Sequence, residues 1–336
     1  MTFRPAAAAA GFAAALLLAA PFAARAACTM KTTTVPVEMQ GMRPMVTAKI
    51  NGQPVKLLVD SGAFYNGLDA KFAAEQKLRP VGVEALGSHF TSAAKVNTSG
   101  IGGADLSSTL VKVPEFEFVG AKFNNVPFLT LNLGRVSGNL GQNFLHLMDN
   151  EYDLKNGVMR LARPEGCGSS ALAYWGAPGA AFSALALDST SEGAESHTMA
   201  TITINGVNMR ALFDTGSTTT FITERAAARA GVKTSDPGVT PGGLSIGIDR
   251  TDIKTWLGRF ASVKIGDEEI KNGLLRIGET DAKYFDILIG ADFFMAHHVY
   301  VANSQNQIYF TYNGGPVFNV RSSAAAAQSP GAPAPR

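Results

Sequence analysis

The chain has 336 residues, room for two domains of ordinary size, with 46% hydrophobic and 17% charged residues and only two cysteines. Its 29 Lys and Arg face 27 Asp and Glu, too even a balance for a field that would hold nucleic acid or an anionic membrane surface. Arg4 precedes a run of small and apolar residues from Ala6 to Ala20, followed by Pro21 and the small-residue site Ala24-Arg25-Ala26. That is the pattern of a secretory signal peptide over residues 1–26, and the run is too short to span a bilayer comfortably. Cleavage there removes Arg4 and Arg25 and no acid, leaving 27 basic and 27 acidic residues. Cys28 also suggests a lipoprotein site, but Arg25 is an odd neighbour for one, so a soluble periplasmic or secreted protein is expected. An even cysteine count in an exported chain favours a Cys28–Cys167 disulfide; two separate buried thiols are the alternative.

In chain order, 35–39 and 45–50 alternate as strands, and Asn51-Gly52 is a strong hairpin signal. The next strand runs to Asp60. A helix is expected from Asp69, its N-cap, to Leu78, before Pro80. Residues 87–103 are polar and glycine-bearing, ending in Gly100-Ile101-Gly102-Gly103, and suit a mobile hairpin. Strands follow at 110–113, 115–119 and 126–129, then a tight turn into a short helix at 140–145 and a hairpin over 152–161 on Asn156-Gly157. The first lobe thus covers 27–165. Residues 166–195 are a connection rich in Gly, Ser, Ala and Pro that packs through Leu172, Tyr174 and Trp175. A second lobe over 196–320 repeats the plan, with a hairpin on Asn205-Gly206, a helix from Thr223 to Gly231 and a glycine-bearing segment over 241–249. The tail, 321–336, is Ala, Pro, Ser and Gly and is expected to be disordered. Two β-rich lobes without βαβ alternation exclude a doubly wound sheet.

The repeat is clearest at Leu57-Leu58-Val59-Asp60-Ser61-Gly62-Ala63 and Ala211-Leu212-Phe213-Asp214-Thr215-Gly216-Ser217, 154 residues apart. Each is an apolar strand that delivers a carboxylate onto a tight turn. If a pseudo-twofold axis brings the turns together, the two carboxylates cannot both ionise and hold one proton between them. The ionised Asp can then activate a water, while the protonated one supports a carbonyl oxygen. Gly62 and Gly216 allow the sharp turns, and Ser61 and Thr215 offer hydroxyls that can lock them together.

These paired motifs, followed by Asn139-Leu140-Gly141 and Leu288-Ile289-Gly290, resemble the aspartic protease superfamily, and more narrowly the exported bacterial retropepsin-like proteins. The likeness covers about 33–318. It implies an all-β, bilobal fold of two pseudo-twofold-related β-barrel lobes, each with a short helix. It makes Asp60 and Asp214 the catalytic pair, with Ser61, Gly62, Thr215, Gly216 and Ser217 supporting them. Gly100, Ile101, Gly102 and Gly103, with Gly243 and Leu244 in the second lobe, match the glycine-rich flaps. One chain carries both halves, so a monomer acting on peptide or unfolded protein is implied, without metal or cofactor. The symmetry breaks at Ala63 against Ser217, and the Ser217 hydroxyl is expected to donate to Asp214, leaving Asp60 the proton holder. Phe64, Phe90, Ile101 and Leu244 are expected to form apolar pockets for the substrate.

Three other readings compete. Asp-Ser/Thr-Gly is also an ordinary turn in which Asp caps backbone donors. The same fold could serve a non-catalytic periplasmic binding or scaffolding protein. Gly243-Leu244-Ser245-Ile246-Gly247 spells a serine-hydrolase elbow, which would make Ser245 a nucleophile, but no helical periodicity follows it. The adjacent His297 and His298 point to opposite faces of a strand, and with His89, His146 and His197 they give no metal spacing. Asp105, Asp153 and Asp292 are read as caps.

Overall fold

The computed structural model describes residues 28–81, 95–99, 105–134, 136–176, 181–188, 197–246 and 252–318. The first half contains β1 (Thr29–Pro36), β2 (Glu38–Gln40), β3 (Arg43–Ile50), β4 (Gln53–Val59), β5 (Gly67–Asp69), α1 (Ala70–Glu75), β6 (Lys95–Ser99), β7 (Asp105–Phe118), β8 (Ala121–Leu131), β9 (Gly138–Leu140), α2 (Gln142–Leu145), β10 (Asp149–Asp153) and β11 (Val158–Glu165). The second half contains β12 (Ser183–Ala186), β13 (Met199–Ile204), β14 (Val207–Phe213), β15 (Phe221–Thr223), α3 (Glu224–Arg229), β16 (Thr240–Ile246), β17 (Asp252–Ile265), β18 (Glu268–Gly278), β19 (Ile287–Ile289), α4 (Ala291–Ala296), β20 (His297–Ala302) and β21 (Gln307–Tyr312).

Each lobe closes into a six-stranded mixed barrel. In the first, β3-β4-β9-β5-β8-β7 returns to β3, and in the second, β13-β14-β19-β15-β18-β17 returns to β13. The hairpins that open the barrels turn on Asn51 and Gly52 (φ 50° and 80°) and on Asn205 and Gly206 (φ 48° and 79°). Two successive left-handed residues match the twist of the flanking strands, which is why Asn-Gly stands at both places. α1 starts on Asp69, whose carboxylate accepts from the Lys71 N–H at 3.1 Å, and α3 on Thr223, whose hydroxyl accepts from the Ala226 N–H at 3.2 Å. Phe116, Phe118, Phe128 and Phe144 fill the first barrel, with ring centroids 5.6–6.2 Å apart. Phe213, Phe293, Phe294 and Phe310 pack in the second half, each worth about 2–3 kcal/mol in removed apolar surface.

A third sheet joins the lobes in the order β1-β11-β10-β20-β21-β12. Its seam is the antiparallel β10–β20 pair, with Glu151 opposite Tyr300. Cys28 and Cys167 are bonded as a disulfide, at the point where β1 and β11 pair Thr29 with Glu165.

Several local readings change. Each lobe holds two short helices: α2, on the expected 140–145 turn, follows Gly141, and α4 follows Gly290 as its counterpart in the second lobe. The 152–161 hairpin forms as β10 paired with β11, but its loop is longer than Asn156-Gly157 alone: Leu154–Asn156 form a 3-10 turn that Gly157 ends at φ 68°. β7 is one strand through Pro114, since pairing continues at Val113 and Glu115 on either side. The 166–195 connection contributes β12 to the inter-lobe sheet. Phe90, Gly100, Ile101, Gly102, Gly103 and the 321–336 tail lie outside the described residues.

Candidate active site

β4 runs parallel to β9, and β14 parallel to β19. Asp60 and Asp214 stand where these pairs end: the Asp60 N–H donates to the Leu140 carbonyl at 3.0 Å, and the Asp214 N–H to the Ile289 carbonyl at 2.8 Å. The residues behind them interlock across the axis. The Ser61 N–H donates to Thr215 Oγ1 at 3.1 Å and the Thr215 N–H to Ser61 Oγ at 3.0 Å. Ser61 Oγ donates onward to the Phe213 carbonyl at 2.8 Å, and Thr215 Oγ1 to the Val59 carbonyl at 2.7 Å. Both residues are buried, where a donor or acceptor left without its partner costs about 1–3 kcal/mol.

The two glycines complete the approach. A Cβ on Gly62 would collide with the Asp214 carboxylate, and one on Gly216 with that of Asp60. Each carboxyl therefore packs against the opposite turn, and the two hydrogen-bond to each other. Asp60 is 9% and Asp214 5% exposed. Burial, then the neighbouring Asp214 charge, then the bond between the carboxyls hold Asp60 well above the usual carboxylate range. Burial also raises Asp214, but the Gly216 N–H, the bond from Asp60 and the Ser217 N–H oppose it. Asp214 Oδ1 accepts from Gly216 at 2.8 Å and Ser217 at 3.3 Å, while Asp60 Oδ1 accepts from Ala63 at 3.0 Å. Of the pair, Asp60 is the one disposed to keep the proton.

One expectation is overturned in its cause. The Ser217 hydroxyl does not reach Asp214; it donates to the Thr219 carbonyl at 3.0 Å. The donors to Asp214 are backbone N–H groups.

A symmetric outer layer supports the turns. Asn66 Oδ1 accepts from the Gly141 N–H, and Thr220 Oγ1 from the Gly290 N–H, both at 2.9 Å. Asn143 Oδ1 accepts from the Asn66 N–H at 2.8 Å, and Asp292 Oδ1 from the Thr220 N–H and hydroxyl at 2.9 and 2.7 Å. The layer also has unsymmetrical members. Buried Gln142 donates to the Ser61 carbonyl at 2.9 Å and to Thr198 Oγ1 of the other lobe at 2.7 Å. Its repeat position holds Ala291, so the duplication carried no signal for it.

The hairpins beside the pair differ in how they are held. β6 pairs with β7 up to Ser99 and Asp105. In the second lobe β16 carries a bulge between Pro241 and Gly243, and Gly243 has φ 81°. Buried Arg276 donates through Nη1 to the Gly242 carbonyl at 2.5 Å and to Thr255 Oγ1 at 2.7 Å, and Thr255 donates to the Gly243 carbonyl at 2.8 Å. The first lobe has Leu129 at the matching barrel position. Leu244 is 61% exposed. Ser245 pairs with Ile253 inside the β16–β17 ladder, which removes the strand-turn-helix geometry a nucleophile elbow needs.

The adjacent histidines are spent on structure: His297 bonds the Phe293 carbonyl at 2.8 Å and Glu268 at 2.9 Å, and His298 bonds Glu151 at 2.8 Å. Among the described residues, no group of three or more His, Cys, Asp and Glu could hold a metal ion. Nor, among them, is any helix long and apolar enough to cross a membrane.

A family model described as Aspartyl protease matches residues 46–144 and 200–293, one segment in each lobe and together more than half of the chain. No curated protein matches the chain with significance.

Proposed function

The chain belongs to the aspartyl protease family, and from that premise we propose that it is an aspartic endopeptidase working through Asp60 and Asp214. The observation that carries this is the reciprocal packing of Gly62 on Asp214 and Gly216 on Asp60, which leaves two buried carboxyls sharing a hydrogen bond. Ionised Asp214 takes a proton from a water as its oxygen bonds to the scissile carbonyl carbon, while Asp60 gives its proton to the carbonyl oxygen. Collapse of the resulting diol returns a proton to Asp60, Asp214 protonates the amide nitrogen, and the C–N bond breaks. No covalent enzyme intermediate forms.

An extended peptide suits a cleft flanked by the β6–β7 and β16–β17 hairpins, which can add main-chain hydrogen bonds to a strand. Both catalytic halves lie in one chain, so a monomer suffices. The signal-type start and the Cys28–Cys167 disulfide support an exported protein.

The test is cleavage of a denatured protein and a mixed peptide library from pH 3 to 8 with a metal chelator present, using wild type, Asp60→Asn and Asp214→Asn. Cleavage is expected to survive the chelator and to fall at least ~100-fold in each variant. Equal turnover in all three proteins would refute the assignment, and well-folded but inactive wild type would favour a binding protein.

A further inference from the structure

The two halves of the cleft differ just behind the catalytic glycines. The first lobe continues Ala63-Phe64-Tyr65-Asn66 and the second Ser217-Thr218-Thr219-Thr220, at the same 154-residue offset. One catalytic loop therefore presents aromatic rings and the other hydroxyls.

Phe64 is half-buried, its carbonyl held by the Asn143 N–H at 2.8 Å. Its ring stands edge-on to Tyr65 at 4.5 Å and lies 6.0 Å from the ring of His197. His197 belongs to the other lobe, just before β13; the next residue, Thr198, accepts the N–H of Phe213, the neighbour of Asp214, at 2.9 Å. The His197 ring lies 6.1 Å from Tyr284 and within 16° of parallel. Tyr284 is 40% exposed and stands edge-on to buried Phe285 at 5.1 Å, close before β19. Burial lowers the pKa of His197, which favours the neutral ring that such packing prefers. A row of three rings thus starts on one catalytic turn, crosses between the lobes and ends at solvent. At the repeat-equivalent positions the sequence has Thr218 for Phe64 and Arg43 for His197.

We infer that Phe64, His197 and Tyr284 form the specificity site for one aromatic or large aliphatic side chain of the substrate, and that this one-sided site sets the direction of the peptide across the catalytic pair. The occupant rests on the endopeptidase reading. A twofold cleft with equal ends accepts a peptide in either direction, whereas a cleft with rings on one catalytic turn and hydroxyls on the other does not. Flat side chains gain from stacked and edge-on contacts with such rings.

The experiment separates binding from turnover by using the full mature chain carrying Asp60→Asn. A series of otherwise identical peptides places Phe or Thr at each position in turn, and affinity is read by calorimetric titration. The expected result is one position at which Phe binds about tenfold more tightly than Thr, the usual worth of an added apolar group in a pocket. Adding Phe64→Thr, the residue of the other lobe, brings that Phe-to-Thr ratio close to one, and so does Tyr284→Ala. Tyr284 is exposed enough to carry the test if the Phe64 variant does not fold. The inference is overturned by a lack of binding, by no preferred position, by two preferred positions symmetric about the centre, or by an unchanged ratio in a folded variant. Wild-type cleavage of the same peptides is scored separately. A surviving ratio without cleavage would sink the peptidase reading alone, and cleavage without a ratio would sink this inference alone.

Discussion

Gly62 and Gly216 set the distance between the two carboxylates, because a methyl at either position would occupy the space of the opposite carboxyl. Asp60 and Asp214 were legible in the sequence because both sit in short duplicated motifs behind apolar strands. One neighbour was less so. Ser217 looked like a hydroxyl donor to Asp214 from its place in the motif, but its backbone turns the hydroxyl to Thr219 and the N–H to the carboxylate. Ser217→Ala should therefore leave the acid limb of the pH–rate profile where it is. Movement upward by about one pH unit, the signature of a lost bond worth ~1.4 kcal/mol, would return the hydroxyl to Asp214. Gln142, Arg276 and His197 had no sequence signal. Each acts through a partner distant in the chain, and the repeat replaces them with Ala291, Leu129 and Arg43.

At the scale of elements, the readings that held were those set by local chemistry. Asn51-Gly52 and Asn205-Gly206 turn hairpins because both residues tolerate positive φ, and Asp69 and Thr223 start helices because their side chains accept N–H groups of the first turn. The readings that failed concerned tertiary pairing. Asn156-Gly157 has the same local signal as the other two turns, but Leu154 is drawn into the core and bends the chain into a 3-10 turn. β12 has a sequence that reads as connection and becomes a strand only because β21 offers an edge, with Leu185 opposite Ile308. The pairing of β1 with β11 and β12 with β21 repeats the lobe plan outside the barrels, a symmetry that no motif marks.

Over the whole molecule, the seam between the lobes is held by polar as well as apolar contacts. Glu151, fully buried on β10, accepts from Arg160, from the Tyr174 hydroxyl and from His298 of the other lobe. Trp175 stacks on His298 at 4.0 Å and donates to Thr311 Oγ1 at 2.9 Å, so the connection between the lobes is fastened to their junction. Burial pushes the Glu151 carboxyl up, but the bonds from His298 and Tyr174 and the charge of Arg160 outweigh it and leave its pKa below the ordinary value. A depressed folded-state pKa stabilises above the unfolded value, about 4.3, and that stability is lost as the pH falls through the folded one. Glu151→Gln should cost about 3 kcal/mol at neutral pH, as expected when one member of a buried charged network is removed. The gap from wild type in urea unfolding should close below about pH 4. A gap that stays constant across that window would mean that Glu151 contributes shape rather than charge.

The most direct test of the account is a 13C NMR titration of aspartate carboxyls in wild type, Asp60→Asn and Asp214→Asn. In wild type one carboxyl should titrate well above the ordinary aspartate value of about 3.9. That titration should vanish in Asp60→Asn and move down in Asp214→Asn, where the neighbouring charge is gone. If every aspartate titrates near its ordinary value and neither variant moves the partner's resonance, the two turns do not share a proton and the catalytic pair does not exist.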